Sequence, residues 1–145
     1  MNDATQEGTS MTQAPHHPTD IGQPFWEGLA RRQLMLQFDA ASGRAQFYPR
    51  PQSLYSEAGV QWRAASGRGT VAALTRSRVS PPHLAGAVPY VLALVQLEEG
   101  PRMLARIAAP FETLAIGQAV AVAWDATGPA PAFPVFKPTT PGDNP

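Results

Sequence analysis

Residues 66–107 constrain the fold of this chain more than any other stretch, because they carry the pattern of three consecutive β-strands. In the first of them Val71, Ala73 and Val79 fall at alternate positions, so we expect them to share one face. The second is a nearly continuous apolar run, and the third alternates again after a turn at 98–101. Alternation with period two between Gly/Pro turns is typical of half-buried antiparallel strands. The strands are predicted over residues 70–79, 89–97 and 102–107.

Two further strands complete the predicted domain. Residues 116–124 alternate again, and residues 133–136 form a short edge strand, where a proline is tolerated. A longer connector at 108–114 separates the third strand from the fourth. Five short strands with this spacing predict a mainly β fold, a five-stranded Greek-key barrel of the OB type over residues 66–138.

The region ahead of the barrel, residues 24–65, predicts a short helix followed by a hairpin. Residues 24–33 place Phe25, Trp26 and Leu29 on one side at spacings of three and four. A helix this short is marginal alone, so it must dock on its own domain or on another subunit. The strands that follow are predicted over residues 34–38, 44–48 and 60–63.

The two turns of this hairpin region have the layout of a zinc ribbon whose ligands are missing. In a ribbon each turn, or knuckle, carries a pair of cysteines with two residues between them. The corresponding positions here are Asp39 and Ser42 in the first knuckle, and Ser53 and Ser56 in the second. Serine hydroxyls are poor zinc ligands at neutral pH, and a single carboxylate cannot hold the ion alone. The sequence therefore predicts a degenerate ribbon without zinc.

Composition and charge exclude several classes of protein. A formal net charge of +0 argues against a general nucleic-acid-binding protein, which usually needs a large basic excess. The longest apolar run is far too short to span a bilayer, and the N-terminus lacks a signal-peptide pattern, so a cytoplasmic protein is expected. Residues 1–23 and 139–145 hold too little apolar surface to offset their ordering entropy, which predicts two disordered tails.

Few residues of the chain are suited to catalysis. The chain has no cysteine, so it lacks a thiolase-type nucleophile. His83 is the only histidine inside the predicted folded region, and no carboxylate lies near it in sequence to orient it as a base. Glu98 and Glu99 lie on a hairpin turn, where solvated charge is the usual situation. No catalytic residue is therefore predicted.

Aromatic residues crowd the N-terminal third, which is too small to form a large core of its own. They either pack between hairpin and barrel or face a partner subunit, because exposed aromatic residues are typical interface anchors. The missing zinc removes a contribution that can dominate the folding of small zinc domains, and this favours a partner. The candidate interface residues are Phe25, Trp26, Phe47, Tyr48, Tyr55 and Trp62.

Several segments, taken in order, resemble acyl-CoA-associated OB-fold proteins that have a rubredoxin-like zinc-ribbon N-terminus. No single segment is diagnostic, but their order and spacing over residues 25–138 carry the resemblance. All four ribbon cysteines are absent here, which puts the zinc in doubt and leaves the barrel intact. The segments are FWEGL, L-x-L-Q, the turn ending in Ser42 and Gly43, Tyr48-Pro-Arg-Pro51, SGRGT, VPYVLALVQLEEGPRMLARI, Ile116-Gly117 and Pro134-Val-Phe-Lys-Pro138.

The resemblance implies a non-catalytic accessory subunit of an acyl-CoA-processing complex. Members of this family resemble small subunits that form hetero-oligomers with thiolase-type enzymes, related acyltransferases and aldolases, or hot-dog-fold hydratases, and the partner carries the catalytic residues. A thiolase-type partner is the first expectation, with the small subunit helping to shape its substrate channel, and a hot-dog-fold enoyl-CoA hydratase is the alternative. If acyl-CoA is bound at the partner interface, Arg68, Arg76 and Arg78 are candidate contacts to the CoA phosphates, although salt bridges to the partner are favoured for them.

A single-stranded nucleic-acid-binding module is an alternative of a different class, because OB barrels present aromatic and basic faces to such ligands. The neutral overall charge argues against it, and so does Tyr90 as the only aromatic residue in the second and third barrel strands. A free-standing enzyme that acts on an acyl-CoA is the third and least expected possibility.

Overall fold

The computed structural model describes residues 20–82, 86, 88–128 and 130–140. Within these ranges it has one α-helix, eight β-strands and short 3-10 turns that include Asp20–Gly22 and Phe111–Thr113. The helix is α1 (Gln23–Ala30). The strands are β1 (Met35–Asp39), β2 (Ala45–Gln46), β3 (Val60–Ala64), β4 (Arg68–Ser77), β5 (Tyr90–Leu97), β6 (Arg102–Ile107), β7 (Ala119–Asp125) and β8 (Phe133–Pro138).

Helix α1 packs directly on β1. Pro24 lies in its first turn, where the missing backbone N–H leaves no hydrogen bond unmade. Gly28 allows the close approach, because a Cβ at this position would lie 2.4 Å from Cγ of Met35. Leu29 is fully buried beneath the helix. The glycine in the FWEGL segment is therefore a packing requirement, and the short helix docks on its own chain.

The hairpin region forms a three-stranded antiparallel sheet in the order β2-β1-β3. The central strand β1 is buried over four of its five residues, whereas β3 at the edge is half-buried to exposed. The predicted strands are all present, but β2 is shorter than residues 44–48 and covers Ala45–Gln46 alone.

The five remaining strands close into a barrel in the order β4-β5-β6-β8-β7, with β7 pairing back onto β4. Neighbouring strands are antiparallel except for β6 and β8, which run parallel where Ile107 faces Phe136. The predicted mainly β architecture, a short helix and ribbon-like hairpin followed by a five-stranded OB barrel, is confirmed.

One hydrophobic core joins the barrel to the hairpin. The hairpin side chains in this core come from β1, from the residue before it and from β2, and the barrel side chains come from the inward positions of all five strands. A backbone hydrogen bond from Ala65 N–H to the carbonyl of Leu34 at 2.7 Å extends the pairing of β1 with β3 up to the start of the barrel. The hairpin is therefore stabilised by the barrel rather than by its own small interior. Its residues in the core are Leu34, Leu36, Phe38 and Ala45.

The glycines of the SGRGT segment have two separate steric roles at the start of the barrel. Gly67 has a φ of +78°, and a Cβ there would lie 2.5 Å from Cγ1 of Val122. Gly69 lies so close to β5 that a Cβ would be 2.6 Å from the carbonyl oxygen of Gln96. A positive φ and a close strand contact both favour glycine.

The expectation that Val79 shares the face of Val71 and Ala73 is wrong. Strand β4 ends at Ser77, and Val79 is 82% exposed. The pairing with β5 shifts register between Val71 and Ala73, and such a shift of one residue turns the following side chains to the other face. Leu74 packs against the core as a result.

Most of the tails predicted over residues 1–23 and 139–145 lie outside the described residues. At the first boundary Asp20–Gly22 forms a 3-10 turn that leads into α1. At the second, Thr139 N–H donates to the carbonyl of Ala119 at 3.1 Å and extends the pairing of β7 with β8.

Candidate functional site

The four predicted knuckle positions converge on one carboxylate. Asp39 is the last residue of β1 and is only 2% exposed. Ser56 donates its hydroxyl to Oδ1 of Asp39 at 2.5 Å. Ser42 donates both its backbone N–H and its hydroxyl to Oδ2, each at 2.7 Å. Ser53 lies close enough for its hydroxyl to help lower the pKa of Asp39. These four residues form one unit, named here the Asp39 cluster.

The Asp39 cluster holds its carboxylate in the ionised form. The hydroxyls of Ser53, Ser56 and Ser42, together with the backbone N–H of Ser42, hold the pKa of Asp39 far below its usual range. Burial acts in the opposite direction but is outweighed, because hydrogen bonds to the charged form favour it. The ionised carboxylate therefore accepts hydrogen bonds from both knuckles and ties them together, as a metal ion does in a four-cysteine ribbon.

The donor set of the Asp39 cluster does not fit a zinc ion. Structural zinc sites use four thiolate or imidazole ligands, whereas this cluster offers one carboxylate and three hydroxyls. The carboxylate oxygens already accept hydrogen bonds from the surrounding donors. In the part of the chain that the structure describes, no group of three or more His, Cys, Asp or Glu side chains is arranged to hold a metal. A zinc-free ribbon stays the prediction for this hairpin.

A pair of buried glutamines holds the second knuckle against the hairpin. Gln37 exchanges two hydrogen bonds with the backbone of Arg50, each at 2.8 Å. Gln46 donates to Gln37 Oε1 at 2.8 Å and to the carbonyl of Gln52 at 3.1 Å. Leu54 N–H donates to Gln46 Oε1 at 2.9 Å.

The side chains of these glutamines make hydrogen bonds to the backbone of the second knuckle that a neighbouring strand would otherwise make. Gln37 and Gln46 are each 2% exposed, and they satisfy backbone groups of a segment that has no strand partner of its own. Sequence reasoning missed this role. The signal was a lone polar residue, Gln37, inside the otherwise apolar LMLQF run.

Four of the six predicted interface aromatics form a continuous row. Phe25 lies 5.9 Å from both Trp26 and Phe47, measured between ring centroids. Phe47 lies 4.2 Å from Tyr48, and Trp26 lies 6.4 Å from Phe133 of β8. This aromatic row runs from the barrel across α1 to the hairpin. Its two end residues are its most exposed members, with Tyr48 at 56% and Phe133 at 46%.

The other two predicted aromatics lie apart from the aromatic row. Tyr55 donates its hydroxyl to the carbonyl of Ala45 at 3.3 Å, and the guanidinium of Arg44 lies over its ring at 3.9 Å. Trp62 is half-buried on β3, opposite Gln37. Phe133 was missed because nothing in sequence links it to α1, more than a hundred residues away.

The structure does not bring Arg68 and Arg76 together. They lie at opposite ends of β4, eight residues and therefore about 26 Å apart along an extended strand. Arg68 forms an ion pair with Glu98 at 2.8 Å, and the hydroxyl of Ser66 together with this arginine lowers the pKa of Glu98. Arg78 is exposed beyond the end of β4.

Arg76 is held by residues that follow β6. Its guanidinium forms an ion pair with Glu112 at 2.5 Å and lies 5.1 Å from the ring centroid of Phe111. Both Arg68 and Arg76 therefore have partners within the chain, and a CoA phosphate would have to compete with those carboxylates. Their role as phosphate contacts stays a prediction.

The remaining candidates contribute no catalytic arrangement. His83 lies outside the described residues, which themselves contain no histidine. Glu98 is exposed, as expected for the turn, but Glu99 is half-buried and accepts the backbone N–H of Ser66 at 2.6 Å. Within the described ranges, no helix is long and apolar enough to cross a membrane.

Comparisons with known proteins agree with this architecture. Residues 62–125 match the family model described as the C-terminal OB-fold domain of ChsH2. A probable enoyl-CoA hydratase alpha subunit from Thermomonospora curvata is 34% identical over 122 residues. That match covers 81% of this chain but 37% of the relative, so the chain spans little more than a third of this curated protein.

Solved structures extend the likeness to the hairpin. A chain of the Ltp2-ChsH2(DUF35) aldolase superimposes with a TM-score of 0.75 at 28% identity, covering 85% of this chain and 98% of that one. A DUF35-family protein of unknown function from Sulfolobus solfataricus has a TM-score of 0.58 at 13% identity, over 84% of this chain and 87% of that one, which supports the fold alone. Residues 62–125 therefore resemble the C-terminal OB-fold domain of ChsH2, and the resemblance to acyl-CoA-associated OB-fold proteins is confirmed.

Proposed function

We propose that this chain is a non-catalytic accessory subunit of an acyl-CoA-processing complex, and that its partner is a thiolase-type enzyme that forms or cleaves a carbon–carbon bond next to a thioester. One observation carries the proposal. Most of this chain superimposes on nearly the whole of a chain from the Ltp2-ChsH2(DUF35) aldolase. A protein with a similar length and fold is therefore a component of an aldolase that is named after two proteins.

The residue types in the chain support an accessory role rather than independent catalysis. The chain has no cysteine to act as a thiolase nucleophile, and the described residues offer no histidine to act as a base. The most strongly perturbed carboxylate, Asp39, is buried and fully engaged with the knuckle serines. Its role is structural, which leaves the chemistry to the partner.

The surface of the hairpin offers an anchor for that partner. Tyr48, Leu54 and Tyr55 are exposed at 56%, 58% and 37%, and Arg44 lies over the Tyr55 ring. Aromatic side chains together with arginine are enriched where subunits meet. The buried glutamines fix the second knuckle to the hairpin strands, so the anchor is pre-organised and loses little conformational freedom on binding.

The test is acyl-CoA turnover by a thiolase-type enzyme from the same organism, co-expressed with this chain and measured with and without it. We expect the enzyme to need the chain for full activity and the purified chain to show none. Turnover by the chain alone, or an enzyme whose stability and rate ignore the chain, would overturn the proposal.

A hydratase partner is the second candidate. The relative from Thermomonospora curvata carries the name of an enoyl-CoA hydratase alpha subunit, and most of its length has no counterpart here. The same co-expression experiment with a hot-dog-fold hydratase separates the two partners, because only the true partner forms a stable complex.

A nucleic-acid-binding role has less support. On the outer face of β5 and β6, Leu94 pairs with Leu104, and both are exposed. Single-stranded nucleic acids instead require aromatic stacking platforms on such a face.

A further inference from the structure

An open, mainly apolar groove lies between α1 and the turn that joins β7 to β8. Its volume is about 950 Å³, at the upper end of the range for small-molecule sites. Buried Leu29 and the indole of Trp26 contribute to it from the helix, and Ala126 and Ala132 from the barrel side. Apolar atoms thus form most of the surface that a ligand would meet.

Two charged side chains border this groove, and one of them is already engaged. Glu27 accepts a hydrogen bond from Gln23 Nε2 at 2.9 Å, and both residues line the groove. Arg32 also lines it, and its guanidinium has no ion pair or hydrogen bond to any described residue. Among the described residues, the groove therefore presents an apolar surface with one unpaired cation at its edge, which complements an anion attached to an apolar chain.

Arg32 has a backbone conformation that an arginine rarely adopts. Arg32 closes α1 by donating its N–H to the carbonyl of Leu29 at 3.0 Å, and its φ is +55°. At this point of a helix glycine is the usual residue, because it adopts a positive φ without steric cost. An arginine in its place is an outlier of the kind that clusters at binding sites.

We propose that this groove binds an amphiphile that combines an apolar chain with an anionic group, the chain against Trp26 and Leu29 and the anion at Arg32. The anion can be the carboxylate of a free fatty acid or a phosphate of an acyl-CoA. This ligand is held by the chain itself, so binding requires no partner subunit and does not depend on the accessory role proposed above.

The test is an NMR titration of the 15N-labelled full chain, followed at the tryptophan indole N–H signals. The probes are octanoate, octanoyl-CoA, octan-1-ol and CoA alone. Trp26 lines the groove, whereas Trp62 and Trp124 do not, so these two serve as internal controls. We expect octanoate, octanoyl-CoA or both to shift the Trp26 signal, with octanol binding about fivefold more weakly than the better of the two. The two anionic arms distinguish a free acid from a thioester.

Variants at Arg32 separate binding from folding. Arg32→Gly and Arg32→Asn remove the guanidinium with residues that tolerate a positive φ, so both are expected to fold. Each should weaken the binding of the anionic probe about fivefold and leave octanol unchanged. Arg31→Gln is the matched control, because Arg31 contacts Gln33 and does not line the groove. Ala30→Leu fills the groove and should weaken every probe that carries an octyl chain.

Three results would overturn the proposal: no shift of the Trp26 signal with either anionic probe, an affinity for octanol equal to that for the better anionic probe, or an Arg32→Gly chain that binds this anionic probe as the parent does. CoA alone matching octanoyl-CoA would also exclude a role for the apolar chain. A failed complex with a thiolase-type enzyme would leave all of these measurements unaffected.

Discussion

Ser56 donates its hydroxyl to Asp39 Oδ1 at 2.5 Å across seventeen residues of sequence, and so joins the two knuckles of the hairpin. Asp39→Asn keeps the shape of the side chain but removes the charge and one of its two acceptor oxygens. The hydroxyl and amide donors that surround it would then lack a full set of acceptors. We expect the variant to lower the melting temperature by several degrees in a thermal scan. Glu57→Gln, at an exposed position, is the control that should leave it unchanged.

The contribution of Asp39 to stability should depend on pH. Its folded-state pKa is lowered, so between that value and the ordinary value of about 3.9 the folded chain binds fewer protons than the unfolded chain. The stabilisation is therefore complete above about pH 5 and is lost as the pH falls through the acidic range. The gap in melting temperature between the parent chain and Asp39→Asn should shrink from pH 7 to pH 2.5. A gap that stays constant over this range would contradict the carboxylate's role.

Restoring the four ribbon cysteines should recreate a metal site. The quadruple variant Asp39→Cys, Ser42→Cys, Ser53→Cys and Ser56→Cys places thiolates at four positions that already converge. Thiolates in a tetrahedral set are the preferred zinc ligands, so we expect one zinc ion per chain and a higher melting temperature when it is bound. Cobalt substitution followed by visible absorption reports the tetrahedral geometry. A quadruple variant that folds but binds no cobalt would show that these positions do not form a ribbon site.

Gln37→Leu should loosen the second knuckle. The substitution leaves the backbone N–H and carbonyl of Arg50 without partners, together with one donor of Gln46. A buried group left unsatisfied costs about 1–3 kcal/mol, so a loss of this size is expected in chemical denaturation. Gln61→Leu on the exposed side of β3 is the matched control and should stay within about 0.5 kcal/mol. If the two substitutions lowered the free energy of unfolding equally, the proposed role of the glutamine pair would be contradicted.

The sequence predicted what local patterns determine, and it missed what the three-dimensional packing determines. Alternation located the strands because one face of each is buried, but the register shift between Val71 and Ala73 reversed the faces and exposed Val79. Knuckle spacing located the Asp39 cluster, since turn positions are fixed by short-range geometry. Neither pattern shows which distant side chain meets α1, so the contact between Trp26 and Phe133 could not be predicted.

The candidate arginines show the same limit at the level of function. They are predicted as contacts to the phosphates of one CoA, yet Arg68 and Arg76 lie at opposite ends of an extended strand, and each has a carboxylate partner. Arg32, by contrast, is not among the site residues that the sequence predicts. Its position beside a groove depends on the turn between β7 and β8, almost a hundred residues later.

The most direct test of the accessory role is the mass of the complex formed when the full chain is co-expressed with a thiolase-type enzyme from the same organism. Size-exclusion chromatography with light scattering should give one hetero-oligomeric peak that contains both chains. Tyr48→Asp places a charge on the exposed end of the aromatic row and should dissociate this complex while the isolated chain stays folded. Two separate peaks for the parent proteins would contradict the proposed partnership. A complex that Tyr48→Asp leaves intact would contradict the proposed interface.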